Sequence, residues 1–214
     1  MPMSDSNLDN LMPWLLILAM FAFLAIFIAV AYWSRQRHNR AWEDFATRTG
    51  LAFEPGRLLG APRVQGSYRG HSLLVDTYTV HHGKSSTTYT RIALGLNRPT
   101  GLALILYNEG VFAKLGKILG GQDIQTGDAE LDERFVIKGQ PEQAIRTLFV
   151  TGGWTQKLHG ARAVHIEVDA QSVRFRTTGV IRDVDYLQSL LDMLGTLADS
   201  VEHVSESPLT GWGQ

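Results

Sequence analysis

From residue 11 to residue 33 the chain carries no charged side chain. A helix of about 23 residues, rising about 1.5 Å per residue, is about 34 Å long, and a bilayer core is about 30 Å thick. The run therefore predicts a transmembrane helix, and the rest of the chain is expected to fold as a tethered domain. Trp14 stands at one end of the run and Tyr32 and Trp33 at the other. Amphipathic rings at both ends match the two membrane–water interfaces. Pro13 falls in the first turn, where its missing N–H costs little.

A cleaved signal peptide is the main competing reading. Ala29, Val30 and Ala31 fit a small-x-small cleavage site. The segment before the run, however, holds Asp5 and Asp9 and no basic residue, whereas a signal peptide needs positive charge there. The apolar stretch also exceeds the usual length of about 7–15 residues. The anchor reading is preferred.

Flanking charge predicts the orientation. Arg35, Arg37 and Arg40 follow the span, against Asp5 and Asp9 before it. The positive-inside rule then puts the N-terminus outside and the domain in the cytoplasm, at the inner (plasma) membrane. The expected membrane-interface residues are Trp14, Tyr32, Trp33, Arg35, Arg37 and Arg40, and the lipid bilayer is the first expected partner. The absence of cysteine agrees with a reducing compartment and excludes thiol catalysis and cysteine-ligated zinc. The span holds no ionisable side chain, which argues against transport or proton relay by the helix itself. Ala22, Ala25 and Ala29 share one helical face, a weak pairing surface for a homo-oligomer.

The expected organisation is a short extracytoplasmic tail (1–10), the span (11–33), a juxtamembrane helix (34–50), a soluble α+β domain (51–204) and a flexible tail (205–214). Whether the domain divides near residue 121 is left open. About 175 residues outside the membrane suffice for one good core or two small ones. The tail takes two of the 21 carboxylates, leaving 19 against 20 basic residues. A nearly neutral domain lacks the basic face that nucleic-acid binding requires.

Periodicity predicts an antiparallel sheet with packed helices. Ala41, Trp42, Phe45 and Ala46 share one helical face, and Gly50 is a C-terminal stop. Short strands are expected at 51–53 and 63–68, with a turn at Arg69 and Gly70. Residues 71–80 alternate, with Leu73, Val75 and Thr77 on one side and Leu74, Tyr78 and Val80 on the other. Residues 81–86 read as a hairpin tip, and 88–96 return with Ile92, Leu94 and Leu96 inward. The apolar segment 102–107 reads as a central strand. Val111, Phe112, Leu115, Ile118 and Leu119 have helical spacing. Pro141 opens a further helix, and Gly152 and Gly153 interrupt it. Segments 163–169 and 172–177 form a hairpin whose polar faces set acids against arginines. A last helix begins near Asp183, striped by Leu187, Leu190, Leu191, Leu194, Leu197 and Val201, which reads as core rather than a coiled-coil seam.

Catalytic motifs fail one by one. Gly83-Lys84-Ser85 imitates the end of a P-loop, but Tyr78 stands where the first glycine should be. An EF-hand loop beginning at Asp128 would need glycine where Glu133 stands. The histidines show no His-Glu-x-x-His spacing, and the neighbours His81 and His82 point to opposite faces of a strand. No Gly-x-Ser-x-Gly elbow is present. No cofactor and no metal is expected.

The run Gly127-Asp128-Ala129-Glu130-Leu131-Asp132-Glu133-Arg134-Phe135-Val136-Ile137-Lys138-Gly139 resembles a signature of uncharacterised bacterial membrane-anchored proteins with a domain of unknown function. Their pattern is Gly-Asp-x-x-(Phe/Leu)-Asp-x-x-Phe-Val-(Val/Ile)-(Lys/Arg)-Gly. The spacing of Trp42, Phe45, Ala46, Gly50, Leu51 and Phe53, and the Gly66-x-Tyr68-Arg69-Gly70 element, are similar too. The resemblance implies no activity and carries over no functional residue. In physical terms Gly127 and Asp128 would turn the chain, and Leu131, Phe135 and Ile137 would pack inward. Asp132 would accept from backbone N–H groups or pair with Arg134.

Two function classes follow. The first is a membrane-tethered interaction or regulatory module with a protein partner at the inner membrane. The second is a membrane-anchored hydrolase-like enzyme, which should gather two or more of His71, His81, His159, Asp128 and Asp132 in one pocket. A binding module should instead show an apolar patch or an open sheet edge.

Overall fold

A computed structural model of the chain describes residues 5–56, 60–108, 123–162 and 164–206. The expected helix around Val111–Leu119 and the expected tail beyond residue 206 lie outside the described residues. The chain forms two compact units, Met1–Arg40 and Ala41–Gln214.

Helix α1 spans Asp5–Thr49. Its residues 13–33 are exposed on every side, although nearly all are apolar. Among the described residues one helix is long and apolar enough to cross a membrane. Past Arg40 the pattern changes to one buried stripe. Trp42 and Phe45 are fully buried in the second unit, and Ala46 nearly so. Gly50 then takes φ 69°, a left-handed conformation that ends the helix at little cost for glycine.

The second unit is α+β: one antiparallel sheet with helices packed against it. Its strands are β1 (Ala52–Glu54), β2 (Arg63–Tyr68), β3 (His71–His82), β4 (Ser85–Gly95), β5 (Ala103–Asn108), β6 (Phe135–Gln140), β7 (His165–Val168) and β8 (Ser172–Thr178). Its helices are α2 (Ala129–Arg134), α3 (Glu142–Thr151), α4 (Thr155–His159) and α5 (Val184–Glu206). The eight strands lie in the order β1-β2-β3-β4-β8-β7-β5-β6. The late strand β8 therefore sits near the middle and joins β4 to β7. The apolar strand β5 lies between β7 and β6. It is interior, as its continuous apolar run requires, but it is not at the sheet's centre.

Alternation sorts the sheet into two faces. One face presents Val64, Val75, Ile92, Phe175, Ile166, Leu106 and Ile137, all buried and in cross-strand register. Leu187, Leu190, Leu191, Leu194, Leu197 and Val201 of α5 belong to the same core. The leucine stripe is thus core contact. The other face carries Asp76, Tyr78, Tyr89, Arg91, Arg174, Arg176, His165, Glu167, Ile105 and Tyr107.

Two turns fix the register of the N-terminal half. Arg69 and Gly70 have φ of 52° and 85°, the backbone of a two-residue hairpin turn whose twist matches the strands. The β3–β4 hairpin turns on Gly83 and Lys84 alone, with His82 opposite Ser85. Its tip is shorter than the six polar residues 81–86 suggested, because polar side chains on a projecting arm are as compatible with strand as with loop. Gly127 and Asp128 do turn the chain, but the acidic stretch after them is helical, as α2.

Candidate functional site

Of the residues expected at the membrane interface, Trp14, Tyr32, Trp33, Arg37 and Arg40 are exposed on α1. Trp14 is 70% exposed, Tyr32 60% and Trp33 67%, so their rings are open to the surrounding medium. The amide of Gln36 donates to the Tyr32 hydroxyl at 2.8 Å. Tyr32, Trp33, Gln36, Arg37 and Arg40 line one cleft of about 510 Å³. The Arg35 side chain lies outside those described.

The signature run builds a tight local structure. Asp128 caps α2, accepting from the backbone N–H groups of Glu130 and Leu131 at 3.0 and 3.2 Å. Asp132 accepts from the Thr126 N–H and hydroxyl, each at 2.8 Å, and from the Gly127 N–H at 3.1 Å. Of the two roles expected for Asp132, backbone acceptance is the one realised. Arg134 turns instead to the carbonyls of His159 and Ala161, at 2.8 and 3.0 Å. Leu131, Phe135 and Ile137 are buried. The run thus ties the β6 end of the sheet to α4.

The five candidate catalytic residues separate into different places. His159 and Asp128 do meet, with Nε2 3.2 Å from Oδ2, and Glu130 stands 3.1 Å from the other ring nitrogen. Asp128 is at the same time a helix cap. The cleft between α4 and α5 is lined by Lys157, Ala161, Tyr186, Leu190 and Met193, among others, and neither His159 nor Asp128 lines it. His71 is 1% exposed. Its ring nitrogens lie 3.0 Å from Asp199 and 3.2 Å from the Gly95 carbonyl oxygen. His81 is exposed on the hairpin arm, opposite Ser86. Among the described residues no group of three or more His, Asp or Glu side chains is placed to hold a metal.

His71 belongs to a cluster that fastens the β2–β3 turn to α5. Arg69 reaches Asp199 at 3.1 Å and the Thr196 hydroxyl at 3.0 Å. The Tyr68 hydroxyl donates to Asp192. Burial, then the hydrogen bond and negative charge of Asp192, push the Tyr68 phenol up to about 12. The Asn97 N–H donates to Glu202 at 2.5 Å. Each acidic group here is committed to a specific partner, which describes a clamp better than a reaction centre.

Sequence reasoning did not anticipate a transverse row on the second face of the sheet. Asp76, Arg91, Arg176, His165 and Tyr107 stand opposite one another on β3, β4, β8, β7 and β5. Arg91 forks onto both oxygens of Asp76 at 2.8 and 2.5 Å. That bond, against the opposing effect of burial, raises the Arg91 pKa. Arg91 also lies over the Tyr78 ring, which stacks on Tyr89 at 5.4 Å. The expected acid–arginine pairing holds for Arg174, which reaches Asp169 at 2.8 Å and Glu167 at 3.4 Å. Burial alone would raise the Asp169 pKa, but the Gln171 N–H, the Arg174 charge and Ser172 hold it down. The pairing fails for Arg176, which faces His165. Alternation revealed the two faces, but only the register reveals which residues share a row.

The sheet edges differ. At β6 the outward N–H of Ile137 donates to Asp123 at 2.7 Å, and its carbonyl accepts from the Ile124 N–H at 2.8 Å. That edge is covered at Ile137. On β3 the pairing with β2 ends at Val75, opposite Val64. Residues 76–82 continue as strand with β4 on one side and, among the described residues, no strand on the other.

No family model and no curated protein matches the chain. Among solved structures the fold is similar to the crystal structure of the mycobacterial trehalose monomycolate transport factor A, TtfA, with a TM-score of 0.51 and 14% identity, over 76% of this chain and 93% of that one. At that identity the likeness shows a shared fold: a sheet-and-helix domain of the kind found in TtfA.

Proposed function

We propose that the chain is a membrane-tethered interaction module whose domain docks an extended segment of a protein partner along the open edge of β3. The observation that carries this reading is the strand at residues 76–82, which among the described residues is paired on one side only. Seven residues at about 3.3 Å each offer about 23 Å of backbone donors and acceptors. Proteins normally blunt such an edge with proline, lysine or a bulge. This segment, Asp76-Thr77-Tyr78-Thr79-Val80-His81-His82, has none of these, whereas the β6 edge is covered at Ile137. Strand addition is a common way to recognise a partner, and the main chain supplies most of the affinity. The structural neighbour is a transport factor, which fits an accessory role at a membrane. The resemblance of the signature run to membrane-anchored proteins supports the same setting.

The test is photo-crosslinking of the full chain in its native membrane. A photoreactive side chain at Thr79 should give a discrete protein adduct, and one at exposed Gln188 on α5 should not. Equal labelling at both positions, or none at Thr79, defeats the reading.

Flanking charge further supports a cytoplasmic domain, with Arg35, Arg37 and Arg40 retained inside. A reporter active only after export, fused after Gln214, should stay silent. Activity would reverse the orientation.

A further inference from the structure

We infer that the cleft on α1 lined by Tyr32, Trp33, Gln36, Arg37 and Arg40 is a binding site for the phosphate of an anionic membrane phospholipid. The inference rests on the reading of α1 as a span and is independent of the docking edge on β3. Position is the first argument. The uncharged run ends at Trp33. At about 1.5 Å per residue, Arg37 lies about 6 Å and Arg40 about 10 Å further along the helix. A bilayer of about 40–45 Å with a core of about 30 Å leaves about 5–8 Å of headgroup on each side. Side chains lean toward the N-terminus of their helix, so both arginines lean back toward the end of the run. Their stems lie along apolar surface while the charged heads stay at the polar level. The geometry is the same whichever side of the membrane the domain occupies.

Donor chemistry is the second argument. Tyr32, Gln36 and Arg40 are spaced four apart, as are Trp33 and Arg37, so the five share a helical face. Their cleft of about 510 Å³ has the size of a small-molecule site, about 300–1,000 Å³. Gln36 donates to the Tyr32 oxygen at 2.8 Å, which keeps the phenol O–H as a donor. Indole and guanidinium groups have donors only. A guest for this cleft must therefore bring acceptors. Arg37 and Arg40 are like charges three residues apart, which repel on a helix surface. One phosphate between them replaces that repulsion with charge-assisted forks, which arginine provides and lysine does not. Residues 10–42 contain no acid, so this stretch of the chain brings no carboxylate of its own. A zwitterionic lipid carries a cation toward the two arginines, whereas an anionic lipid does not.

The test titrates the full chain in neutral detergent with phosphatidylglycerol or phosphatidylcholine and reads bound lipid by native mass spectrometry. Phosphatidylglycerol should bind more tightly, by about tenfold. Arg37→Gln combined with Arg40→Gln should weaken it about thirtyfold, at about fivefold for each arginine near a lipid surface. Both side chains are exposed, so the melting of the domain should not change. Arg63→Gln combined with Lys84→Gln removes the same charge from exposed positions of the domain and should leave lipid binding as in wild type. Water-soluble glycerol phosphate at the lipid's concentration should not compete. The inference is overturned if the two lipids bind alike, if the Arg37 and Arg40 exchange leaves affinity unchanged, or if the Arg63 and Lys84 exchange costs as much. Displacement by glycerol phosphate also overturns it, by assigning the cleft to a soluble phosphate. Retention of the chain in membranes washed with alkaline carbonate checks the span itself, so failure of the anchor and failure of the lipid site are told apart.

Discussion

His165 on β7 and Arg176 on β8 face each other across a hairpin, with imidazole Nε2 3.0 Å from a guanidinium nitrogen. The contact holds the imidazole in its neutral form. Burial, and secondly the Arg176 charge, lower its pKa from 6.5 to about 4. The unfolded chain therefore takes up this proton at a higher pH than the folded one. The stability contributed is complete above about pH 6.5 and lost as pH falls toward 4. A shift of this size corresponds to about 3 kcal/mol. Thermal melts between pH 7 and 4 should show the decline, and His165→Gln should flatten it. An equal slope in the variant would assign the acid sensitivity to other groups.

Asp132 holds three donors of the turn before α2, so Asp132→Ala should cost about 2–3 kcal/mol. Asp132→Asn keeps one acceptor oxygen and should cost less. Denaturant unfolding of both variants checks the order. If both behave like wild type, the carboxylate is not what secures the turn.

Gly152 and Gly153 adjoin in sequence but not in consequence. A Cβ at Gly152 would collide with the Trp154 ring and the Leu148 carbonyl, whereas one at Gly153 meets nothing within 4 Å. Gly152→Ala should therefore destabilise by about 1–3 kcal/mol. Gly153→Ala should stay within about 0.5 kcal/mol of wild type. Melting temperatures of the pair decide it.

Trp42 is fully buried and donates to the Ile181 carbonyl at 2.8 Å. Trp42→Ala should cost about 3–5 kcal/mol. Trp33, on the same helix but exposed, is the control: Trp33→Ala should leave the unfolding of the domain unchanged.

Much of this architecture could be read from residue pattern. The buried stripe of Trp42, Phe45 and Ala46, the paired alternation around Val75 and Ile92, and the leucine stripe of α5 each follow from local periodicity. The roles within the signature run followed too, because a cap and a turn are made by neighbours in sequence. What stayed hidden depends on strand order. Nothing local says that β8 lies against β4, so Arg91 and Arg176 could not be put side by side. Nor could the open edge beyond Val75 be anticipated, since it reflects where β2 stops rather than what β3 contains. The meeting of His71 with Asp199 is likewise set by the docking of a helix more than a hundred residues away.

The position of β8 bears on how the protein is made. Strands β1 to β4 leave the ribosome first and β5 to β7 later, yet they are hydrogen-bonded into one sheet only through residues 172–178. Until that strand emerges, β4 and β7 each present a bare flank. The nascent chain must hold two unfinished half-sheets apart until residues 172–178 are synthesised. A chain cut short before residue 172 would keep α1 and lose the strand that unites them.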